Sequence, residues 1–177
     1  MRKGPGKEMS EKADKKARVF HTIGPEFDSS SRILILGTMP SPKSREHGFY
    51  YAHPQNRFWK VMSAVTGCAE LDTAAEKREF LRAFHIALWD VLQSCDIENA
   101  SDTSIKNPVP NDIEKIFSRA NILQVFTTGK KAYTLYNRLC PSAAEHPAVP
   151  LPSTSPANCR LSLDDLIAQY GIIKKFL

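Results

Sequence analysis

Apolar positions follow two alternating patterns along most of this chain of 177 residues. Short, largely apolar runs, which are typical of strands buried in a sheet, cover residues 32–36, 86–92, 122–126 and 149–151. Stretches with an apolar residue every three or four positions, which are typical of helices, begin near residue 56 and cover residues 73–84, 113–120, 130–139 and 162–169. Strands that alternate with helices predict an α/β fold, a three-layer α/β/α sandwich around a mainly parallel sheet.

Polar residues and glycines mark the ends of several predicted helices. Thr73 is followed three positions later by Glu76, which is the spacing of a capping box. Asn111 and Ser162 are suited to cap the helices that follow them, because their side chains can accept from free backbone N–H groups. Gly67 is expected to end the helix that begins before it.

Three polar loops follow predicted strands, directly after Leu36, Phe126 and Leu151. In parallel α/β sheets, ligands bind at the carboxyl ends of the strands. We therefore expect these loops to form one site, although fold and polarity alone do not name its reaction.

Positive charge is concentrated at the start of the chain. The net charge of +5 favours a polyanionic partner. Seven of the 24 Lys and Arg residues lie in residues 1–19, against three acidic residues, and this segment has few large apolar groups. Such a composition predicts a disordered tail ahead of a single domain over residues 20–177. The tail is either a passive solvated extension or an electrostatic tether to DNA.

The apolar pattern predicts neither a signal peptide nor a membrane span. Its charged start is not followed by an apolar segment, and no purely apolar run exceeds four residues. The four cysteines form no C-x-x-C pair, which favours reduced thiols without a metal. We therefore expect a cytoplasmic protein that acts away from membranes.

Two motifs give the chain a resemblance to a known family. Residues 37–40 read G-T-M-P and residues 51–59 read Y-A-H-P-Q-N-R-F-W, which resembles the G-x-N-P and A-H-P-x-N-R-F-W motifs of mismatch-specific uracil-DNA glycosylases. The chain is more similar still to the hypoxanthine-DNA glycosylase family. That family's Y-Y-A-H-P-x-N-x-F-W and L-P-S-T-S-P-A motifs stand intact at residues 50–59 and 151–157. The similarity covers most of residues 30–170 and implies a fold like that of uracil-DNA glycosylase.

The resemblance implies that Asn56 is the catalytic residue. In the mismatch-specific enzymes the Asn of G-x-N-P holds the attacking water, but Met39 stands there in this chain. A thioether is too weak an acceptor to orient water. The hypoxanthine family shares this departure, and the Asn of its second motif, here Asn56, is thought to take over by accepting from the water and donating. By residue type alone, Asn56 is more simply an N-cap of the next helix.

The same resemblance assigns further residues to a base pocket. Tyr51 aligns with the aromatic residue that stacks on the flipped base, with ordinary loop packing as the alternative. Backbone amides after Gly37, at Thr38 and Met39, are expected to donate to the base. His53 is a candidate general acid, but a His before Pro at a helix start is more commonly a structural hydrogen-bonding residue.

Thr128 and the loop after residue 151 complete the predicted site. Much of the superfamily carries a base-reading Asn at the position of Thr128, whose hydroxyl lacks the paired donor and acceptor of an amide. The alternative is a plain strand-to-helix turn. The loop also resembles the M-P-S-S-S-A-R loop of thymine-DNA glycosylases, which enters the minor groove. The residues expected to contact DNA are Ser153, Thr154, Ser155, Ala157 and, as the nearest wedge candidate, Arg160.

Together these features predict a monofunctional DNA glycosylase that flips a deaminated base and hydrolyses its bond to deoxyribose. The base that the resemblance favours is hypoxanthine. The expected partner is double-stranded DNA containing such a base, bound by a monomer without a cofactor. Uracil or xanthine as the main base, and a lesion-binding module without turnover, stay open as alternatives. Some relatives carry a four-cysteine iron–sulfur cluster, but isolated cysteines are more commonly buried thiols. An unrelated nucleotide-binding enzyme is disfavoured because the chain has no phosphate-loop motif.

Overall fold

The computed structural model describes residues 17–97 and 104–177, and residues 1–16 and 98–103 lie outside the described part. Its strands are β1 (Ala17–Phe20), β2 (Ile33–Gly37), β3 (Ile86–Asp90), β4 (Leu92–Ile97), β5 (Lys106–Pro110), β6 (Gln124–Thr128) and β7 (Ala148–Leu151). Its α-helices are α1 (Pro42–His47), α2 (Phe58–Thr66), α3 (Ala74–Ala83), α4 (Glu114–Phe117), α5 (Lys130–Leu139) and α6 (Leu163–Tyr170). Short 3-10 helices cover Pro141–Ala143 and Gly171–Lys175.

Four parallel strands form the central sheet in the order β3-β2-β6-β7. All five residues of β2 are buried, as expected for a parallel strand that is covered on both faces. Helix α3 packs on β3, α5 packs on β6 and β7, and α2 packs on α6. The predicted three-layer α/β/α sandwich with a parallel central sheet is confirmed.

The register of this sheet brings the carboxyl ends of its strands to one edge. Gly37, the last residue of β2, pairs with Asp90, the last residue of β3. Thr128, the last residue of β6, pairs with Leu151, the last residue of β7. The loops that follow these strands therefore meet at one edge, as the sequence predicts.

Local capping signals are confirmed at several helix ends. Thr73 and Glu76 form the predicted capping box at the start of α3. Ser162 caps α6 and forms a second capping box with Asp165. Gly67 ends α2 in the left-handed region with φ 75°, a conformation that glycine adopts without steric cost.

A second, antiparallel sheet of order β1-β4-β5 corrects two predictions. The apolar run over residues 86–92 is not one strand, because β3 ends at Asp90 and the chain enters β4 in the other sheet. Residues 17–19, assigned to the disordered tail, lie in β1 and pair with β4. Arg18 adds tertiary bonds that local composition does not reveal, since its guanidinium contacts Asp96 and Ser94. The rest of the tail prediction falls on residues 1–16, outside the described residues.

The prediction of a helix over residues 113–120 capped by Asn111 is also corrected. Only Glu114–Phe117 is α-helical, and the Asn111 side chain instead donates to the backbone oxygens of Asp90 and Leu92. Asn111 therefore ties the crossover between the two sheets together. The sequence pattern also missed α1, which is too short for a helical periodicity to be visible in it.

Candidate active site

A cavity of about 960 Å³ opens at the carboxyl edge of the parallel sheet. The last residues of β2, β3 and β6, which are Gly37, Asp90 and Thr128, all line it. The sequence-predicted site residues that line it are Gly37, Thr38, Met39, Tyr51, Asn56, Thr128, Ser153, Thr154, Ser155, Ala157 and Arg160. His53 lies apart, on a neighbouring cavity of about 230 Å³, where its Nδ1 accepts from the backbone N–H of Gln55. The structure thus brings together the predicted residues except His53.

Tyr51 is held between two partners at the edge of this cavity. Its ring stacks on that of Phe58, with centroids 3.9 Å apart and an angle of 15° between the planes. Its hydroxyl lies 3.0 Å from the hydroxyl of Thr128, the end of β6. Its backbone has φ 52°, in the left-handed region that few residues other than glycine adopt. The left-handed backbone, the stacking on Phe58 and the hydroxyl contact with Thr128 fix the tyrosine ring at the wall of the cavity.

Gly37 is required by close packing at the end of β2. A Cβ atom at this position would overlap with Asp90 Oδ1 and lie 3.2 Å from the Tyr51 hydroxyl. No side chain fits there without displacing the carboxylate. The absence of a side chain therefore lets Asp90 and Tyr51 converge on the same point of the cavity wall.

The amide of Asn56 is partly committed to the fold. Its Oδ1 accepts from the backbone N–H of Phe58 at 3.0 Å and from the hydroxyl of Thr154 at 2.9 Å. An amide oxygen has two lone pairs, and both are used here. Among the described residues, Nδ2 of Asn56 has no hydrogen-bond partner. The group of Asn56 that the fold leaves for a ligand is therefore the donor Nδ2.

The side chain of Thr154 is directed at Asn56. Its exposed fraction is 1%, and its hydroxyl donates to Asn56 Oδ1. Thr154 thus positions Asn56, and a contact of its backbone amide with DNA stays a prediction. The hydroxyls of Ser153 and Ser155 each accept from a backbone N–H in their own loop, and each retains an O–H to donate.

Arg57 is a site residue that the sequence reasoning passed over. Its backbone N–H donates to the Thr154 backbone oxygen at 3.1 Å. Its guanidinium donates to the backbone oxygens of Asn158, at 2.7 Å, Leu161 and Ser155. One cation thereby fixes the loop after β7 beside Asn56. The sequence feature that could have identified Arg57 is its place in the motif, between Asn56 and Phe58.

Asp90 and His21 form a buried pair that sequence reasoning also missed. His21 Nε2 lies 2.9 Å from Asp90 Oδ2, and their side chains are 2% and 5% exposed. His21 Nδ1 accepts from the backbone N–H of Ile23 at 3.3 Å, so the ring proton sits on Nε2 and is donated to the carboxylate. One feature of the sequence could have identified Asp90 as a site residue, namely that it is a carboxylate at the end of an apolar strand. Nothing in the sequence linked it to His21.

Three further side chains that line the cavity shape its electrostatics. Burial, with Asp90 nearby, raises the pKa of the Tyr50 phenol far above its ordinary value, so this phenol stays neutral. Its hydroxyl donates to the backbone oxygen of Gly24 at 2.8 Å. Arg45 and Arg160 line the mouth of the cavity, and Arg45 donates to the oxygen of Pro40. The rim thus carries positive charge.

No cluster of three or more His, Cys, Asp or Glu side chains that could hold a metal ion occurs in residues 17–97 and 104–177. Within the same residues the four cysteines are free thiols. Burial raises the pKa of the Cys140 thiol to about 11.

No helix in the described part of the chain is long and apolar enough to cross a membrane.

Known proteins resemble the chain in both sequence and fold. Two curated relatives are named hypoxanthine DNA glycosylase. One, from Methanosarcina barkeri, is 34% identical over 110 residues, which are 61% of this chain and 70% of that protein. The other, from Methanosarcina acetivorans, is 32% identical over 137 residues, which are 77% of this chain and 86% of that protein.

A solution NMR structure from Methanosarcina acetivorans shares the fold with a TM-score of 0.70 and 26% sequence identity. The superposition covers 86% of this chain and 96% of that protein, which carries a provisional assignment as a uracil DNA glycosylase. Residues 25–170 match the family model of the uracil DNA glycosylase superfamily. That match takes in the parallel sheet and the whole set of motifs at its carboxyl edge. The chain therefore belongs to the uracil DNA glycosylase superfamily and is a DNA glycosylase.

Proposed function

We propose that this glycosylase removes hypoxanthine from duplex DNA, as a monofunctional enzyme of base excision repair that acts as a monomer. The observation that carries the proposal is the hydrogen bond between the hydroxyls of Tyr51 and Thr128. A uracil edge is best read by an amide that donates and accepts side by side, and a hydroxyl already bonded to Tyr51 cannot replace it. The two relatives named hypoxanthine DNA glycosylase support the same choice.

A flipped purine finds a stacking surface on Tyr51. Phe58 stacks on the tyrosine ring, and in this proposal the base stacks on the part of the ring that lines the cavity. Stacking of a base on an aromatic side chain contributes on the order of 1–3 kcal/mol, and a larger ring system overlaps more of the surface. The cavity of about 960 Å³ has room for a purine and its sugar.

Departure of the base is assisted by donors, because negative charge grows on it as the glycosidic bond breaks. Hypoxanthine spreads this charge into its imidazole ring and accepts at N7 and O6. Nδ2 of Asn56 and the backbone amides of Thr38 and Met39 are the donors in this proposal. Asn56 is thus assigned the catalytic role, through its N–H rather than its oxygen.

The loop after β7 and the rim arginines contact the DNA backbone in this proposal. Ser153 and Ser155 can donate O–H groups to phosphate oxygens, and Ala157 lies exposed on the same loop. Arg160 is exposed beside the cavity and supplies a positive charge near the strand from which the base is flipped.

Uracil or xanthine is the second candidate for the main base. The NMR relative with its uracil glycosylase assignment favours uracil. A lesion-binding module without turnover is set aside, since the chain is a DNA glycosylase.

The test is a panel of matched duplexes that carry hypoxanthine, uracil or xanthine at one position, assayed in single-turnover reactions for abasic-site formation. We expect hypoxanthine to be released at least about 10²-fold faster than uracil, equivalent to about 2.7 kcal/mol at the barrier. Equal or faster release of uracil would contradict the proposal and favour the second candidate.

A further inference from the structure

Hydrolysis of a glycosidic bond needs an acceptor that orients the attacking water and receives its proton. Both lone pairs of Asn56 Oδ1 are taken by Phe58 and Thr154, so this oxygen cannot serve. Met39 offers only a thioether, which is a weak acceptor. The acceptor must therefore come from another residue that lines the cavity.

Asp90 supplies the one carboxylate among the described residues that line the cavity. Its exposed fraction is 4%, and burying a carboxylate costs free energy unless its oxygens are bonded. Oδ2 is bonded by His21, whereas Oδ1 has no hydrogen-bond partner in residues 17–97 and 104–177. Within the described residues, the fold thus leaves one oxygen of a largely buried carboxylate available at the wall of the site.

Three features of the structure aim this oxygen. Asp90 ends β3, so its side chain stands at the carboxyl edge of the sheet, opposite Gly37 in the register. Gly37 has no side chain, and Oδ1 occupies the space that a Cβ there would fill. His21, held through its own Nδ1 by the Ile23 backbone, fixes the carboxylate from the other side. This is the arrangement of a preorganised polar group, as enzymes require.

We propose that Asp90 is a second catalytic residue, whose Oδ1 binds the attacking water and accepts its proton, with His21 as the positioning residue. The inference rests on the proposed hydrolytic function. In the step, the bond from C1′ to the base nitrogen breaks, and its electron pair leaves with the base. The water oxygen bonds to C1′ and its proton passes to Asp90. The base anion, met by Asn56 Nδ2, takes a proton from solvent.

The charge of Asp90 also suits the sugar, which becomes a cation as the base leaves. A negative carboxylate beneath an oxocarbenium ion stabilises it, whereas the donors around the base stabilise the departing anion. Asn56 donates to the base and Asp90 accepts from the water, so the two residues have complementary roles. This division of roles explains why the chain can have Met39 at the position where the mismatch-specific enzymes have a water-holding Asn.

The experiment compares Asp90→Asn and Asp90→Ala with the matched control Asp112→Asn, which removes an exposed carboxylate away from the cavity. All are assayed in single turnover on whichever base the duplex panel shows the natural protein to release. The choice of base is thus tested on the natural protein, and the role of Asp90 is tested separately on the variants. Thermal midpoint and binding to abasic duplex are measured for each variant.

We expect Asp90→Asn to lose about 10²–10⁴-fold in rate while it keeps its fold and DNA binding. Sodium formate should accelerate Asp90→Ala but neither the natural protein nor Asp112→Asn, compared with sodium chloride at equal ionic strength. A small carboxylate can replace a missing base, but it cannot repair a merely structural defect. A folded Asp90→Asn with full rate, or a slow Asp90→Ala that formate leaves unchanged, would overturn the proposal.

Gly37→Ala tests the same idea without removing the carboxylate, in case Asp90 variants fold poorly. Its methyl group would displace Asp90 Oδ1, so we expect a loss of at least about 10²-fold. Gly171→Ala is the matched control, since a Cβ there meets nothing within 4 Å and its φ is −54°. Full activity in Gly37→Ala would equally refute the role of Asp90.

Discussion

The two ends of the Asn56 amide serve different purposes. Oδ1 accepts from the N–H of Phe58 near the start of α2 and from Thr154 in the loop after β7. The sequence left two interpretations of this residue, a helix cap and a catalytic group. The N-cap of α2 is Arg57, so the cap interpretation is wrong by one position, although Asn56 Oδ1 still accepts from the first N–H of the helix. Nδ2 makes no hydrogen bond within the described residues, and the catalytic role stays a prediction.

Replacement of Asn56 by Asp separates these two uses. A carboxylate still accepts from Phe58 and Thr154 but cannot donate, so we expect single-turnover excision to fall by about 10²–10⁴-fold with the thermal midpoint kept within a few degrees. Asn56→Ala should lose the same activity and also about 1–3 kcal/mol of unfolding free energy, because both donors lose their partner. Gln55→Glu, an equivalent change on the exposed neighbour, is the control. Full activity of Asn56→Asp would reduce Asn56 to a structural residue.

Met39 decides how far uracil can be used. Met39→Asn restores the water-holding amide of the mismatch-specific motif, so we expect uracil excision to increase relative to the natural protein. Met39→Leu keeps an apolar side chain of similar size and should not raise uracil release. The measurement is single-turnover release from uracil duplexes, and an unchanged rate in Met39→Asn would show that position 39 does not limit uracil.

At the level of elements, the loop after β7 depends on a side chain from the start of α2. Arg57 donates to three backbone oxygens, those of Ser155, Asn158 and Leu161. The Asn158 side chain closes the loop by donating to the Ser153 oxygen at 2.8 Å. The loop is therefore held in one shape before DNA binds, although it has no regular secondary structure.

Arg57→Lys should loosen this loop. A lysine ammonium cannot reach three carbonyls in the geometry of a guanidinium fork, so we expect about 2 kcal/mol less unfolding free energy. Excision should slow by about 10- to 10²-fold, because Thr154 and hence Asn56 lose their support. Arg138→Lys, on an exposed position of α5, controls for the change of residue type. Denaturant unfolding and single-turnover assays measure both effects, and a rate equal to that of the natural protein would contradict this role.

At the scale of the whole molecule, the boundary of the basic segment moves to residue 16. A cut after residue 19 would remove part of β1, which pairs with β4. Residues 1–16 contain six Lys and Arg residues, and the prediction for this segment rests on their charge.

Deletion of residues 1–16 should weaken non-specific duplex binding and flatten its salt dependence. Each phosphate contact that is lost lowers the slope of log K against log salt by about 0.9. Excision at saturating enzyme should hardly change, because every described residue that lines the cavity is kept. A full-length variant with the six cations replaced by Ser controls for length. An identical salt slope in the truncated protein would make the segment a passive extension.

Local patterns in the sequence were sufficient to predict the parallel sheet, its flanking helices and the edge at which the site forms. The capping boxes at Thr73 and Ser162 and the helix stop at Gly67 depend only on residues a few positions apart. The cavity-lining motifs were likewise visible because they are contiguous. Periodicity and capping are short-range properties, so a single sequence is enough to reveal them.

Other features were decided only by tertiary structure. β1 and β5 form through pairing with β4, and residues 86–92 divide because the chain leaves one sheet for another. His21 and Asp90 meet although 69 positions separate them, and Thr154 turns inward to Asn56 across 98 positions. Such contacts depend on how the folded helices and strands pack against one another. Packing brings together residues that are far apart in the chain, and no local sequence pattern reveals these pairs.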